Sequence, residues 1–258
     1  MSDYKFIKTW DADGAAWISI NRPPYNVLDI PTMEELNDAL AAVKSRELEV
    51  RALVVTAEGD KAFSAGVDVA DHTPDKVEKM VEVFHEIFHH LDALEIPTLA
   101  AVKGAALGGG CELAIFCDMI VAADNMKIGQ PEVKVGVFPP LAAVVLPRLI
   151  PDKRAFELIV GGETIRAEEA LRLGLVNKVV PLDAFDEEFG KFLRVFTTLS
   201  GPVLRATKKA IRTAKGLPFA DALSRVEQVY LHDLMTTEDA KEGLQAFLEK
   251  RRPEWKHR

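Results

Sequence analysis

The 258-residue chain contains only two cysteines, Cys111 and Cys117. Their spacing matches neither a Cys-x-x-Cys redox pair nor a zinc site, so they read as small buried apolar residues suited to a reducing compartment. Basic residues are also short: 32 lysines and arginines stand against 40 acids, a net charge of -8 that argues against general nucleic-acid binding. No stretch approaches eighteen uninterrupted apolar residues, and the N-terminal segment lacks the apolar core of a secretory signal. Internal repeats, low-complexity tracts and Pro/Gly/Ser linkers are missing as well. These absences predict a cytoplasmic protein without membrane contact. The six histidines, His89 and His90 among them, read as solvated or packing residues, and no metal is expected.

What is present is an alternation. Short apolar runs of strand length fall at 17–20, 52–56, 98–102, 119–123, 127–129 and 176–180, while 33–43 and 75–94 carry apolar residues at helical spacing. Strand, loop and helix recurring in this way predict an α/β layer with crossover connections, whose loops after strands are the usual ligand sites. From about residue 141 the pattern turns helical, at 154–160, 167–173, 185–199, 203–214, 219–235 and 238–250. The apolar residues of the last two helices serve either core packing or subunit contacts.

The densest chemistry lies in residues 103–118, KGAALGGGCELAIFCD. Three glycines, Gly108 to Gly110, run into a helix with Glu112 in its first turn. Backbone without Cβ can approach a ligand, and the first amides of a helix have no intrahelical acceptor, so such a turn favours negative charge. Glu112, three residues after Gly109, shares the face toward which that amide points. The run is neither a dinucleotide fingerprint nor a P-loop, and alone it reads equally as a tight packing turn. Two other segments add to it. KAFSAGVDV (61–69) offers small residues whose amides suit the second half of an oxyanion hole, and in IGQPEVKVG (128–136) Pro131 fixes the chain before a second acid, Glu132. Alone, Glu132 would read as a solvated loop acid.

In this order the segments resemble the enoyl-CoA hydratase, or crotonase, family. The likeness covers nearly the whole chain, through NRPPYNVLD, AFSAGVD, VKGAALGGGCELAIFCD, IGQPE, ALRLGLVNKVVP and AFLEKRRPEW. It implies a β-β-α spiral core over 1–200 that holds the acyl-CoA site, and a helical C-terminal trimerisation region over 201–258, in homotrimers or homohexamers. The Val67 and Gly109 amides would be the oxyanion donors. Glu112 would chiefly activate water, and Glu132 would position water or supply a proton at Cα. Backbone around Ala62, Ala65, Asp68 and Val69 would hold the adenine of coenzyme A, and Lys250 would reach its phosphates from an adjoining subunit. No cofactor is implied, because the CoA thioester is the substrate.

The chain departs from the family after Glu132. A Gly-rich turn is replaced by Phe138, Pro139, Pro140 and Leu141, followed by Ala142 and Ala143, which implies a stiffer turn and a bulkier, more apolar acyl pocket. That variant resembles the subgroup that hydrates cyclohexa-1,5-diene-1-carbonyl-CoA in anaerobic aromatic degradation. Pro24 and Ala70 stand where relatives often carry lysines, leaving Arg22 as a substitute phosphate contact. Alternatives are an enoyl-CoA isomerase, which often works with one principal acid, or a noncatalytic acyl-CoA-binding or RNA-binding relative. Two acids favour hydration, and the acidic balance disfavours RNA. Burial and mutual repulsion would raise the acids' pKa values while the helix start lowers that of Glu112, a balance the sequence leaves open.

Overall fold

The computed structural model describes residues 4–258. The chain opens with strands β1 (Ile7–Ala12) and β2 (Ala15–Ile20) and helix α1 (Ile30–Ser45), then β3 (Ala52–Ala57), β4 (Ala62–Ser64) and α2 (Val77–Ala93). It continues with β5 (Thr98–Val102), β6 (Ala105–Leu107), α3 (Gly109–Phe116), β7 (Met119–Ala123) and β8 (Lys127–Gly129). Helices α4 (Pro140–Leu149) and α5 (Asp152–Gly161), strand β9 (Thr164–Arg166), α6 (Ala167–Arg172) and β10 (Lys178–Val180) complete the sheets. The C-terminal helices are α7 (Phe185–Thr197), α8 (Gly201–Ala214), α9 (Phe219–Gln228) and α10 (Glu238–Leu248).

Two sheets result, ordered β1-β2-β3-β5-β7-β10 and β4-β6-β8-β9. Three times the chain passes from the larger sheet to the smaller, as β3 to β4, β5 to β6 and β7 to β8, and then leaves in a helical or irregular segment. This is the crotonase-like spiral. β3, β5 and β7 pair in parallel and are almost wholly buried, which is why they appear in the sequence as unbroken apolar runs. β1 gives no such run, because it is an edge strand with most of its side chains partly or fully exposed. β4, β6 and β9 have three residues each, too few to show a period.

Local signals set the helix ends. Asp29 caps α1 by accepting from the Thr32 amide at 3.1 Å, with Pro31 in the first turn, and the helix buries Met33, Leu36, Leu40 and Val43. The helical pattern over 219–235 is one continuous segment, but it widens from α9 into a π-helical stretch at Val229–Leu234. α8 is tied to the strands by a buried cation: Lys208 Nζ donates to the Ile96 carbonyl at 2.7 Å and pairs with Asp118 at 2.6 Å. Asp118 also accepts from the Thr98 amide, so the helical region is locked to the end of α3 and the start of β5. Phe219, Leu223, Tyr230, Leu231, Leu244, Phe247 and Leu248 leave an apolar surface uncovered in the single chain. Among the described residues no helix is long and apolar enough to cross a membrane.

Candidate active site

The smaller sheet brings the candidate residues together. β4, β6 and β8 run parallel, with Ser64 beside Ala106 and Leu107 beside Gly129, so the segments leaving their C-terminal ends emerge side by side. Those segments carry Val67, Gly109 and Glu132.

Each glycine of the 108–110 run has its own reason. Gly108 has φ +53°, and a Cβ there would stand 2.8 Å from Glu132 Oε1. One on Gly109 would meet Val67 Cγ2 at 2.8 Å and Phe84 Cζ at 2.9 Å, and one on Gly110 the Ser64 carbonyl oxygen at 2.5 Å. The run therefore lets the start of α3 close onto the β4 loop and onto Glu132. From the other side Gly66, at φ +100°, would bring a Cβ to 3.3 Å from the Gly109 nitrogen. Leu28 clamps this loop, donating to the Gly66 carbonyl at 2.9 Å and accepting from the Asp68 amide at 3.0 Å. Among the described residues neither the Val67 nor the Gly109 N–H has an acceptor. Gly109 opens α3 and so lacks an intrahelical partner.

Glu112 is 2% exposed, in the first turn of α3. Its Oε1 accepts from the Ala142 amide at 2.7 Å, so a carboxylate from one helix caps the start of α4. The segment expected as a stiff turn is in fact this helix start: Pro140 occupies the first position, where no N–H is needed, and the amides after it face an acid. Burial dominates the proton affinity of Glu112 and raises its pKa to about 7; the Ala142 and Leu141 amides oppose it, and the charge of Glu132 adds to it. Glu132, in a 3-10 turn after β8, is likewise raised to about 7 by burial. Gln130, fully buried, turns its carboxamide nitrogen to Glu132 and donates to both carboxylate oxygens, at 3.0 and 3.2 Å, the orientation that satisfies both groups.

A pH dependence of stability follows. Both carboxyls bind protons more tightly in the folded chain than in the unfolded chain, where a value near 4.5 applies. Their contribution is complete below that value and is lost as pH rises through about 7. Denaturation midpoints of the parent should fall across this window relative to the Glu112→Gln/Glu132→Gln variant, which lacks both groups. Parallel curves would refute the burial account.

The other predicted residues divide. Ala62 is buried in β4, and on the loop that follows, which carries Val67, Ala65 is exposed, Asp68 caps the Ala70 amide at 3.0 Å and Val69 is exposed. Of the acyl-pocket residues Pro139 is buried, Leu141 half-buried against the core, Pro140 exposed at the start of α4 and Phe138 65% exposed. Arg22 pairs with Asp29 at 2.8 Å and donates to the Val27 carbonyl. Lys250 lies just past α10, exposed and with φ +56°; none of its contacts among the described residues joins it to the Gly109 turn. Burial pushes both thiols up, Cys117 to about 12, as expected of packed cysteines. Gln130 and the Ala142 amide were not singled out in the sequence. A polar residue between Gly129 and Pro131, and a proline opening a helix, are the signals that could have found them.

The enoyl-CoA hydratase/isomerase family model matches residues 11–258. A crotonyl-CoA hydratase of Syntrophomonas wolfei is 38% identical over 242 residues, 92% of each chain. A cyclohexa-1,5-dienecarbonyl-CoA hydratase of Thauera aromatica is 33% identical over 260 residues, 98% of this chain and 97% of that one. The crystal structure of an enoyl-CoA hydratase from Bacillus anthracis superposes with a TM-score of 0.93 at 33% identity, over 98% of this chain and 100% of that one. The chain therefore belongs to the enoyl-CoA hydratase/isomerase family, as an enzyme of the hydro-lyase class.

Proposed function

We propose that the chain hydrates a conjugated enoyl-CoA thioester, with the Val67 and Gly109 amides as its oxyanion hole and Glu112 and Glu132 as its acid pair. The carrying observation is that two amides without acceptors meet, at one glycine turn, two carboxyls whose pKa values burial raises to about 7. The thioester oxygen sits between the two N–H groups. As water adds to Cβ the carbonyl becomes enolate-like, and preorganised donors stabilise the charge that grows there. Glu112, with one oxygen held by the start of α4, takes the proton of the attacking water. Glu132, steadied by Gln130, supplies the proton that Cα receives. A carboxyl poised near neutrality serves either role, since it both accepts and releases protons at working pH.

The substrate we assign is a cyclic dienoyl-CoA. Pro140, Leu141, Ala142 and Ala143 in place of a flexible glycine turn, and the likeness to the Thauera aromatica hydratase, support it. Isomerisation is the second reading, but both acids are retained, Glu112 buried and Glu132 half-buried, which favours hydration. The exposed apolar face of α9 and α10 supports assembly as a homotrimer or homohexamer. Incubating the purified protein with crotonyl-CoA and with cyclohexa-1,5-diene-1-carbonyl-CoA, with products resolved, tests the assignment. The cyclic thioester should turn over faster; faster crotonyl-CoA hydration removes the ring-specific reading, and a shifted double bond without added water replaces hydration by isomerisation.

A further inference from the structure

Helix α3 begins at Gly109 and ends at Phe116, and α2 meets it at both ends. Phe116 packs edge-on against Phe88, with 5.2 Å between ring centroids, and Phe88 packs edge-on against Phe84 at 5.0 Å. Phe84 then presses its ring edge on Gly109: a Cβ there would lie 2.9 Å from Phe84 Cζ and 3.1 Å from Cε2. Both α2 rings are buried, and interlocked rings in a close-packed interior yield little. Val67 converges on the same spot, with Cγ2 2.8 Å from that Cβ position. The flanking glycines rest on Glu132 and Ser64, which hold the turn from the sheet side, and Phe84 holds it from the side of α2.

Both the ring and the Val67 loop are referred to α1. Asn37 of α1 donates to the Val83 carbonyl at 2.8 Å, one residue before Phe84. Leu28, just ahead of α1, grips the loop through Gly66 and Asp68. One helix thus fixes the two bodies between which Gly109 sits. Two amides stabilise a growing oxyanion only while both stay in range of one oxygen, and such a site needs its donors held by packed neighbours. We propose that Phe84 is the positioning residue of the oxyanion hole: its ring, braced by Phe88 and Phe116, sets the separation of the Val67 and Gly109 amides. The role rests on the oxyanion reading of those amides. Phe84 acts through Gly109 and not by contact with the reacting atoms.

Phe84→Leu removes the ring edge and lets the start of α3 relax toward α2. In this variant kcat should fall about 10- to 100-fold, less than the loss of a whole donor, with KM within about twofold of the parent. Phe84→Met, which refills part of the space with an unbranched chain, should recover part of the loss, and it reads the same quantities if Phe84→Leu does not fold. Phe189→Leu, a core change of the same kind beneath α7, should lower Tm similarly and leave kcat unchanged. The donors are read directly from a bound saturated acyl-CoA carrying an isotopic label at the thioester carbonyl. Its infrared C=O stretch should move to lower frequency on the parent and by clearly less on Phe84→Leu. In a cycle with Gly109→Ala the added methyl takes space that the ring vacates, so the double variant should be about tenfold or more faster than the product of the single losses. If the parent shifts the carbonyl and Phe84→Leu keeps both the shift and kcat, the Phe84 assignment falls while the oxyanion reading stands. Simple multiplication in the cycle, or an equal kcat loss in Phe189→Leu, overturns it in the same way. If the parent shifts no carbonyl, both fall.

Discussion

Glutamine at position 112 or at position 132 is expected to lower hydration by about 10²- to 10⁴-fold, the usual range for a positioned acid or base. Either change keeps the side chain's shape. In Glu112→Gln the carbonyl oxygen still accepts from the Ala142 amide that now holds Oε1 at 2.7 Å, so the start of α4 keeps its cap. In Glu132→Gln the carbonyl oxygen still accepts one bond from Gln130. What each variant loses is the ability to take or give a proton near neutrality. The loss should therefore fall mainly on kcat, with KM little moved, because neither acid binds the nucleotide end of the substrate. The double variant should be little worse than the poorer single one, since two groups moving one set of protons act as a unit. Near-parent turnover in both single variants, measured by absorbance of the conjugated thioester, would overturn the acid-pair assignment.

That expectation is partly legible in the sequence. Buried parallel strands betray themselves as apolar runs, so β3, β5 and β7 stood out, and with them the loops that follow. The glycine run announced a close approach, but not what approaches: only in three dimensions do Glu132, Val67 with Phe84, and Ser64 each claim one glycine. The balance of pKa effects was illegible for the same reason. Desolvation depends on everything packed around a carboxyl, and for Glu112 it outweighs the helix amides that the sequence already indicated. The helix start at Pro140 was hidden because proline there removes a donor, which reads as a stiff turn, although the first position of a helix needs none. The ion pair of Arg22 was not legible because its partner Asp29 serves also as the α1 cap, a pairing that composition does not reveal.

Adding one methyl group at Gly109 is expected to cost about 10²- to 10³-fold in kcat. The Gly109 N–H remains in a Gly109→Ala variant; what changes is where it can sit. The new Cβ would lie 2.8 Å from Val67 Cγ2 and 2.9 Å from Phe84 Cζ, both inside normal contact. Phe84 is buried and packed edge-on against Phe88, so it has little room to retreat. Relief must then come from the loop that carries Val67, which Leu28 grips through two backbone hydrogen bonds. Moving that loop separates the Val67 and Gly109 amides, and an oxyanion hole works only while both donors stay in hydrogen-bond range of one oxygen. Misaligning one donor carries a barrier of about 3 kcal/mol, the typical loss for removing it. The overpacking itself should lower stability by about 1–3 kcal/mol, visible as a reduced Tm. Combining Gly109→Ala with Val67→Ala removes one of the two clashing carbons and should regain tenfold or more in kcat. A Gly109→Ala variant with near-parent kcat would remove the Gly109 amide from the oxyanion hole, because the methyl group cannot be seated without disturbing the spacing on which that role depends.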